Sequence, residues 1–237
     1  MKTPLVRGFI PAIAALSIAL VPAARADEPV AENQRKSSVE NTTHPALLDP
    51  SLATERAPDA FRVKLETTKG DVVILVNRSW APNGADRFYN LVRIGYFDDV
   101  VFYRAIKGFM IQGGFNGDPA VTAVWSNARI PDDPVQQSNT RGMVTFAQPS
   151  MPNARTTQFF INTANNDYLK EHGSFAPFGK VISGMDVVDS LYTGYGEGAP
   201  RGKGPSQSRI AREGNPYLKS DFPLLDFIVT ASVVEAE

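Results

Sequence analysis

The chain has 237 residues, 43% of them hydrophobic, so it is long enough for one sizeable globular core and too short for two large domains. A formal net charge of -1 excludes the basic footprint of nucleic-acid-binding proteins, and no polybasic segment beyond residue 26 would bind anionic lipid. We therefore expect neither nucleic acid nor a membrane surface as a partner of the mature chain.

Cysteine is absent and histidine occurs only at His44 and His172. This composition excludes disulfides, thiolate metal ligands and a cysteine nucleophile. Two histidines are also too few for a multi-histidine metal site, and they make a Ser-His-Asp triad an unfavoured interpretation. We expect no metal, no cofactor and a fold stabilised by packing alone.

The N-terminal segment, residues 1–26, has the pattern of a secretory signal peptide. Lys2 and Arg7 precede an apolar run that ends in Ala24-Arg25-Ala26, a small-x-small cleavage pattern. An uncleaved membrane anchor is the alternative, but such an anchor usually needs about 20 apolar residues, and two prolines interrupt this run. The sequence predicts cleavage after residue 26, export, and a periplasmic location without membrane attachment.

Residues 27–58 follow as a polar stretch rich in Ser, Thr, Glu and Pro, with neither a helical nor a strand period. We predict a flexible linker there, and a domain over residues 59–237. The domain opens with alternating residues at 61–66, a turn at 68–71 and a second run at 72–76, which is the pattern of a β-hairpin.

A helix is predicted over residues 82–94, because its apolar residues recur at helical spacing and Gly95 stands at the C-cap position. A second helix is predicted from Gly184 to Leu191. Short strands bounded by Gly, Pro or Asn are predicted at residues 100–105, 109–112, 142–147, 158–162, 178–182 and, last in the chain, 225–234.

Between the second helix and the last strand, residues 192–223 form a Gly- and Pro-rich insertion. Its Gly202-Lys203 pair does not make a phosphate-binding loop, because Gly204 follows the lysine and position 197 is not glycine.

About eight short strands, two helices and no repeating βαβ order predict a mainly β fold, a closed eight-stranded antiparallel barrel capped by two α-helices. A small-ligand barrel of lipocalin type would need a hollow interior. A filled interior is favoured instead by the large side chains predicted to point inward, which are Leu65, Ile74, Val101, Phe146 and Phe159.

The stretch FYRAIKGFMIQGGFNG, residues 102–117, combines one arginine with bulky apolar side chains and glycines, and contains no nucleophile. Strand alternation predicts that Phe102 and Arg104 share one face, and that Met110 and Gln112 share a face. For a strand considered alone, a solvated arginine beside core residues is the simpler interpretation. The surrounding motifs favour a functional interpretation of Arg104.

Four segments together resemble the cyclophilins, the cyclosporin-binding peptidyl-prolyl cis-trans isomerases. They are VFYRAIKGFMIQGG (101–114), TRGMVTFA (140–147), TTQFFIN (156–162) and PFGKVISGMDVVD (177–189). The resemblance runs in order from about Phe61 to Val234. It implies an isomerase with a closed barrel, an outer substrate groove and proline-containing polypeptides as substrates. Together with the signal pattern of residues 1–26, we expect a bacterial, exported protein that acts as a monomer.

By motif position, Arg104 resembles the catalytic arginine of the family. Phe109, Met110, Phe160 and Leu169 resemble the walls of the pocket for the proline ring. The remaining predicted substrate-binding residues are Gln112, Ala147, Gln148, Tyr168 and Phe175.

Three positions depart from the family pattern. Tyr103 stands where histidine often precedes the arginine, Tyr168 where the pocket has tryptophan, and Phe175 where a second histidine falls. We therefore expect cyclosporin to bind only weakly. A non-catalytic peptide-binding chaperone module is the alternative function, and the presence of Arg104 favours the enzyme over it.

Overall fold

The computed structural model describes residues 43–149 and 151–234. The predicted signal peptide and the predicted linker as far as residue 42 lie outside this described part. Within it, no helix has the length and apolar character needed to cross a bilayer.

One antiparallel sheet dominates the structure. The described residues form nine strands, β1 to β9, at Ala60–Thr67, Gly70–Asn77, Val100–Val101, Arg104–Ile106, Met110–Gly113, Met143–Phe146, Phe159–Asn162, Pro177–Ser183 and Phe227–Val234. Their order in the sheet is β3-β9-β1-β2-β8-β6-β7-β5-β4. The mainly β character follows from the β-branched and aromatic residues that fill these short runs.

The strand count and the closure of the sheet differ from the predicted closed eight-stranded barrel. The run 100–105, predicted as one strand, is divided at Phe102 and Tyr103 into β3 and β4. These two strands lie at opposite ends of the ladder and are not paired with each other. The sheet is therefore not closed by hydrogen bonds, and the break leaves nine strands rather than eight.

Four α-helices accompany the sheet, α1 to α4, at Pro82–Arg93, Pro119–Trp125, Met185–Ser190 and Gln207–Asp221. The first and third correspond to the two predicted helices. The sequence predicts neither α2 nor α4. Helix α4 is kinked at Gly214, where φ is 60°, and contains Pro216, so its sequence has the composition of a loop.

Residues 43–58 are packed against the domain, contrary to the prediction of a flexible linker as far as residue 58. The backbone N–H and carbonyl of Glu55 both bond to the side chain of Asn90 on α1, at 3.0 and 2.7 Å. The indole N–H of Trp125 donates to the Leu47 carbonyl at 3.1 Å. The order of this segment depends on partners far along the chain, which its own polar composition does not reveal.

The interior of the sheet is filled by aromatic side chains. The ring of Phe88 on α1 lies 5.4 Å from Phe97, 5.6 Å from Phe159 and 4.8 Å from Phe178. Of the large side chains predicted to point inward, only Val101 lies outside this core. It belongs to a second apolar cluster, with Tyr103 and three residues of α4, which are Ile210, Tyr217 and Leu218.

Candidate active site

A groove of about 720 Å³ on the protein surface collects the predicted site residues. One wall comes from β4, β5, β7 and the loops that follow β6 and β7. The other wall comes from the insertion, at residues 197–201 and 206–208. Nearly all the predicted site residues line this groove, namely Arg104, Phe109, Met110, Gln112, Ala147, Gln148, Phe160, Leu169 and Phe175.

The apolar part of the groove is a small cluster separate from the main core. Met110, Phe160 and Leu169 are its buried members, and Phe109 and Phe175 are partly buried against them. Met110 and Phe160 meet because β5 pairs with β7. The rings of Phe160 and Phe175 make an edge contact with centroids 6.1 Å apart. The cluster offers an apolar recess of the kind that accepts a small ring.

Buried asparagines hold the backbone behind this apolar pocket. The side-chain amide of Asn166 donates to the Phe109 carbonyl at 2.8 Å, and that of Asn139 donates to the Phe175 carbonyl at 2.8 Å. Buried amides need such partners, so these bonds fix two of the aromatic walls. Neither asparagine is predicted from the sequence, because no local pattern connects it with a residue tens of positions away.

Arg104 lies where the apolar pocket meets the polar side of the groove. Pairing of β4 with β5 sets Arg104 opposite Gln112, whose Oε1 accepts a bond from Nη1 of Arg104 at 2.9 Å. The guanidinium carbon is 5.9 Å from the centre of the Phe109 ring. The prediction that Phe102 shares the face of Arg104 is wrong, because the break between β3 and β4 turns Phe102 into the main core.

Tyr103 joins the polar residues into a network beneath Arg104. Its hydroxyl donates to Oε1 of Gln158 and accepts from Nε2 of Gln112, each at 2.5 Å. Burial raises the pKa of Tyr103, so the hydroxyl stays protonated and remains a donor. Tyr103, at the position where the family often has histidine, thus holds the Gln112 side chain in place through this hydrogen bond. Gln158 lies inside the segment TTQFFIN, residues 156–162, but the sequence does not predict it as a site residue.

The loops around the far end of the groove are fixed by hydrogen bonds. The Ala147 amide donates to the Gln158 carbonyl at 2.8 Å, so this amide is not available to a substrate. Oε1 of Gln148 accepts from Nη2 of Arg155 at 2.8 Å. Arg155 in turn forms an ion pair with Asp132, and burial of the Arg155 guanidinium lowers the pKa of Arg155. Gln148 is therefore oriented by a nearly buried ion pair that the sequence did not indicate.

Glu197 of the insertion forms a two-point ion pair with Arg104. Nε of Arg104 lies 2.7 Å from Oε1 of the carboxylate, and Nη2 lies 2.7 Å from Oε2. The hydrogen bond from Arg104 is the main reason that the pKa of Glu197 lies below its usual value. Residues 93 positions apart meet here, and nothing in the Gly- and Pro-rich sequence of the insertion predicts the contact.

Tyr168 is the one predicted site residue that does not line the groove. Its side chain is exposed at the rim, where its ring stacks on Phe109 with centroids 6.4 Å apart. His172 lies next to it, with the two ring centres 6.0 Å apart. Among the described residues, no three histidine or carboxylate side chains come together as a metal site.

Comparison with known proteins shows which family the chain resembles. Residues 62–212 match the family model described as cyclophilin type peptidyl-prolyl cis-trans isomerase/CLD. A peptidyl-prolyl cis-trans isomerase of Acinetobacter baylyi is 38% identical over 136 residues, covering 54% of this chain and 70% of that protein. Peptidyl-prolyl cis-trans isomerase B of Escherichia coli is 35% identical over 136 residues, covering 54% and 82%.

The fold is also found among solved structures. A cyclophilin type peptidyl-prolyl cis-trans isomerase of Cryptosporidium parvum matches with a TM-score of 0.54 and 22% identity, covering 75% of this chain and 99% of that one. A structure of the same protein in the presence of the dipeptide Ala-Pro matches with a TM-score of 0.53 and 23% identity, covering 74% and 99%. At this identity the likeness shows the fold alone. With the family match over most of the described residues, it follows that the chain belongs to the cyclophilin-type peptidyl-prolyl cis-trans isomerases.

Proposed function

We propose that this isomerase accelerates rotation about Xaa-Pro bonds in exported polypeptides, with Arg104 as the catalytic residue. The observation that carries the proposal is the position of the Arg104 guanidinium at the edge of the apolar pocket, in contact with Met110 and Gln112. A proline ring held in that pocket brings its nitrogen and carbonyl towards the guanidinium.

The chemistry requires no nucleophile and no proton transfer. The C–N bond of a peptide is partly double, and rotation about it has a barrier of about 18 to 20 kcal/mol. Twisting the bond by a quarter turn breaks the resonance and leaves a lone pair on the proline nitrogen. A guanidinium donor interacts better with this nitrogen, or with the prolyl carbonyl, in the twisted state than in the planar one, which is transition-state stabilisation.

The hydrogen bonds of Arg104 leave donors for this task. Of the five N–H groups of a guanidinium, two bond to Glu197 and one bonds to Gln112. The two that remain are one on Nη2 and one on Nη1, and Nη1 makes only a weak hydrogen bond to the Met110 sulfur at 3.8 Å, which a substrate oxygen or nitrogen could replace. These are the groups that we expect to face a bound prolyl residue.

An isomerisation assay on Xaa-Pro tetrapeptides tests this function. We expect the wild type to accelerate cis-trans exchange, and Arg104→Ala to lose at least about tenfold in kcat/KM. A wild-type chain that binds the peptide without accelerating exchange would instead be a peptide-binding chaperone module. Full activity in Arg104→Ala would reject the assignment of the arginine.

Export to the periplasm is part of the proposal and rests on the pattern of residues 1–26. Fractionation of cells that express the full chain tests it, and recovery of the uncut chain in the cytoplasm or the membrane would contradict it. The substrates are proline-containing polypeptides, in line with the Ala-Pro dipeptide present with the Cryptosporidium parvum relative. The chain acts as a monomer, which its mass in solution tests.

Cyclosporin binds weakly in this proposal, because a tyrosine replaces tryptophan at position 168. Tyr168 stacks on the outer side of Phe109 and is largely exposed, so it adds little apolar surface to the groove. Titration of isomerase activity with cyclosporin tests this point, and inhibition at low-nanomolar concentration would contradict it.

A further inference from the structure

We propose that Glu197 of the insertion is a positioning residue that holds the Arg104 guanidinium in its catalytic orientation. The inference rests on the proposed role of Arg104 and extends the site to a part of the chain outside the recognised motifs. It gives the insertion, residues 192–223, a function in the reaction.

The contacts between Glu197 and Arg104 fix the orientation of the guanidinium. Both carboxylate oxygens engage one edge of the guanidinium, through Nε and Nη2, while Gln112 holds Nη1 from another side. Two-point contacts of this kind fix the plane of the guanidinium as well as its location. The side chains of Arg104 and Glu197 are only 20% and 33% exposed, so solvent screens the pair less than it screens a surface pair.

Glu197 is itself held in place by a small loop closed by backbone hydrogen bonds. The Gly204 amide donates to the Glu197 carbonyl at 2.8 Å, and the Ala199 amide donates to the Gly204 carbonyl at 3.1 Å. The Gly198 amide donates to Oε1 of Glu197 at 2.9 Å. Gly202 packs so closely that a Cβ there would lie 2.2 Å from the Glu197 carbonyl oxygen. The carboxylate is therefore presented by a preorganised loop.

The loop is anchored to the domain on two sides. Gly196 forms a β-bridge with Ala105 of β4, directly beside Arg104. On the other side, the Ser206 amide donates to the Tyr217 hydroxyl at 3.0 Å, and Tyr217 belongs to the apolar cluster that packs α4 on Val101 and Tyr103. Because the insertion wall packs through its own apolar cluster, we interpret it as a fixed part of the site and not as a lid that opens and closes.

A competing role for Glu197 would be to block the arginine. A carboxylate on the edge that a substrate needs would compete with it, and its removal would then raise activity. The hydrogen bonds argue for positioning, because Glu197 takes Nε and one N–H of Nη2 and leaves N–H groups on Nη1 and Nη2. An arginine ordered before the substrate arrives does not lose its side-chain freedom in the transition state.

The test is a double-mutant cycle in the isomerisation assay. Glu197→Gln keeps the shape of the side chain and removes its charge, and we expect kcat/KM to fall about three- to tenfold, mainly through kcat. In an Arg104→Ala background the same substitution should change kcat/KM by less than about twofold, because its effect passes through the arginine. Exchange spectroscopy on the bound peptide replaces the steady-state assay if the residual activity of Arg104→Ala is too low to measure.

Glu213→Gln is the matched control, because Glu213 makes a similar two-point pair with Arg209 in the same insertion. We expect this variant to retain kcat/KM within about twofold, and both glutamine variants to keep the wild-type melting curve. Equal losses in the two variants would indicate a general effect on the insertion and would contradict the proposal.

Three other results would also overturn it. A rise in kcat/KM in Glu197→Gln would identify a competitor, and an unchanged kcat/KM would show no role. An equal loss in the arginine-substituted background would show that Glu197 acts by another route. Failure of the proposed function has a different signature, since Arg104→Ala would then keep the wild-type rate.

Discussion

The two walls of the groove differ in how far along the chain their contacts with Arg104 lie. In the wall built on strands, Met110 and Gln112 are six and eight residues from Arg104, and the pairing of β4 with β5 brings them together. In the wall built by the insertion, Glu197 is 93 residues from the arginine it contacts. The contacts of Arg104 within the first wall are therefore visible as a local pattern in the sequence, whereas its contact with the second wall depends on the tertiary fold.

The walls also differ in what they offer a substrate. The strand wall contains the apolar pocket, with Met110 and Phe160 buried, and burial of a ring there contributes binding affinity. The insertion wall contributes a carboxylate bonded to the arginine that we propose to act on the twisted bond. We therefore expect the apolar pocket to determine capture and the hydrogen bonds of Arg104, which join the two walls, to determine turnover, and the following changes test this division.

The largest effect is expected for Arg104→Lys, which keeps the charge and removes the planar fork. Lysine cannot bond to Glu197 and Gln112 while also directing a donor at the substrate. We expect kcat/KM to fall at least about tenfold with an unchanged circular dichroism spectrum. Retention of most of the activity would mean that charge alone is sufficient and that orientation by the two walls is not needed.

A smaller effect, confined to capture, is expected for Phe109→Ala. The ring of Phe109 packs on the apolar pocket, so its removal opens the pocket without touching the hydrogen bonds of Arg104. We expect KM to rise about three- to tenfold while kcat stays within about twofold. Steady-state kinetics separates the two parameters, and a loss seen only in kcat would contradict the division between capture by the pocket and turnover by Arg104.

Tyr103→Phe should have a modest effect on turnover. The substitution removes the hydroxyl that accepts from Gln112 and donates to Gln158. We expect kcat to fall about two- to fivefold and the free energy of unfolding to fall by about 1 to 2 kcal/mol, because buried amide groups lose a partner. Chemical denaturation measures the second quantity. A stability change without any change in kcat would confine Tyr103 to a structural role.

The smallest effects are expected from pH and from chelators. The pKa of Glu197 lies below its usual value, so its pair with Arg104 is complete above about pH 5 and is lost only as the pH falls through that lowered value. The raised pKa of Tyr103 keeps its hydroxyl protonated. We expect kcat/KM to be flat between about pH 6 and 9 and unaffected by EDTA. A steep change in kcat/KM within this pH range would contradict a mechanism without proton transfer.

The strand wall could be predicted from the sequence because its signals are local. The motifs around Arg104, Met110, Gln112 and Phe160 resemble those of the cyclophilins, and this resemblance identifies residues that the structure collects in one groove. The helices α1 and α3 carry regular apolar spacing and were predicted close to their observed limits. Local propensity and packing agree in these segments.

The rest depends on contacts between distant residues. Helix α4 contains Gly214 and Pro216, which indicate a loop when read locally, and its order comes from packing on Val101 and Tyr103. The segment 43–58 is polar and is ordered by Asn90 and Trp125. Glu197 has no local signal that points to Arg104. In each case the deciding interaction joins elements that only the completed fold brings together.

The most direct test of catalysis by Arg104 is the exchange rate of a saturating Xaa-Pro peptide bound to Arg104→Ala, measured by NMR exchange spectroscopy. The substitution leaves the residues of the apolar pocket in place, so the peptide should still bind. We predict that cis-trans exchange on the enzyme slows at least about tenfold relative to the wild type. Exchange at the wild-type rate on the bound peptide would contradict the account.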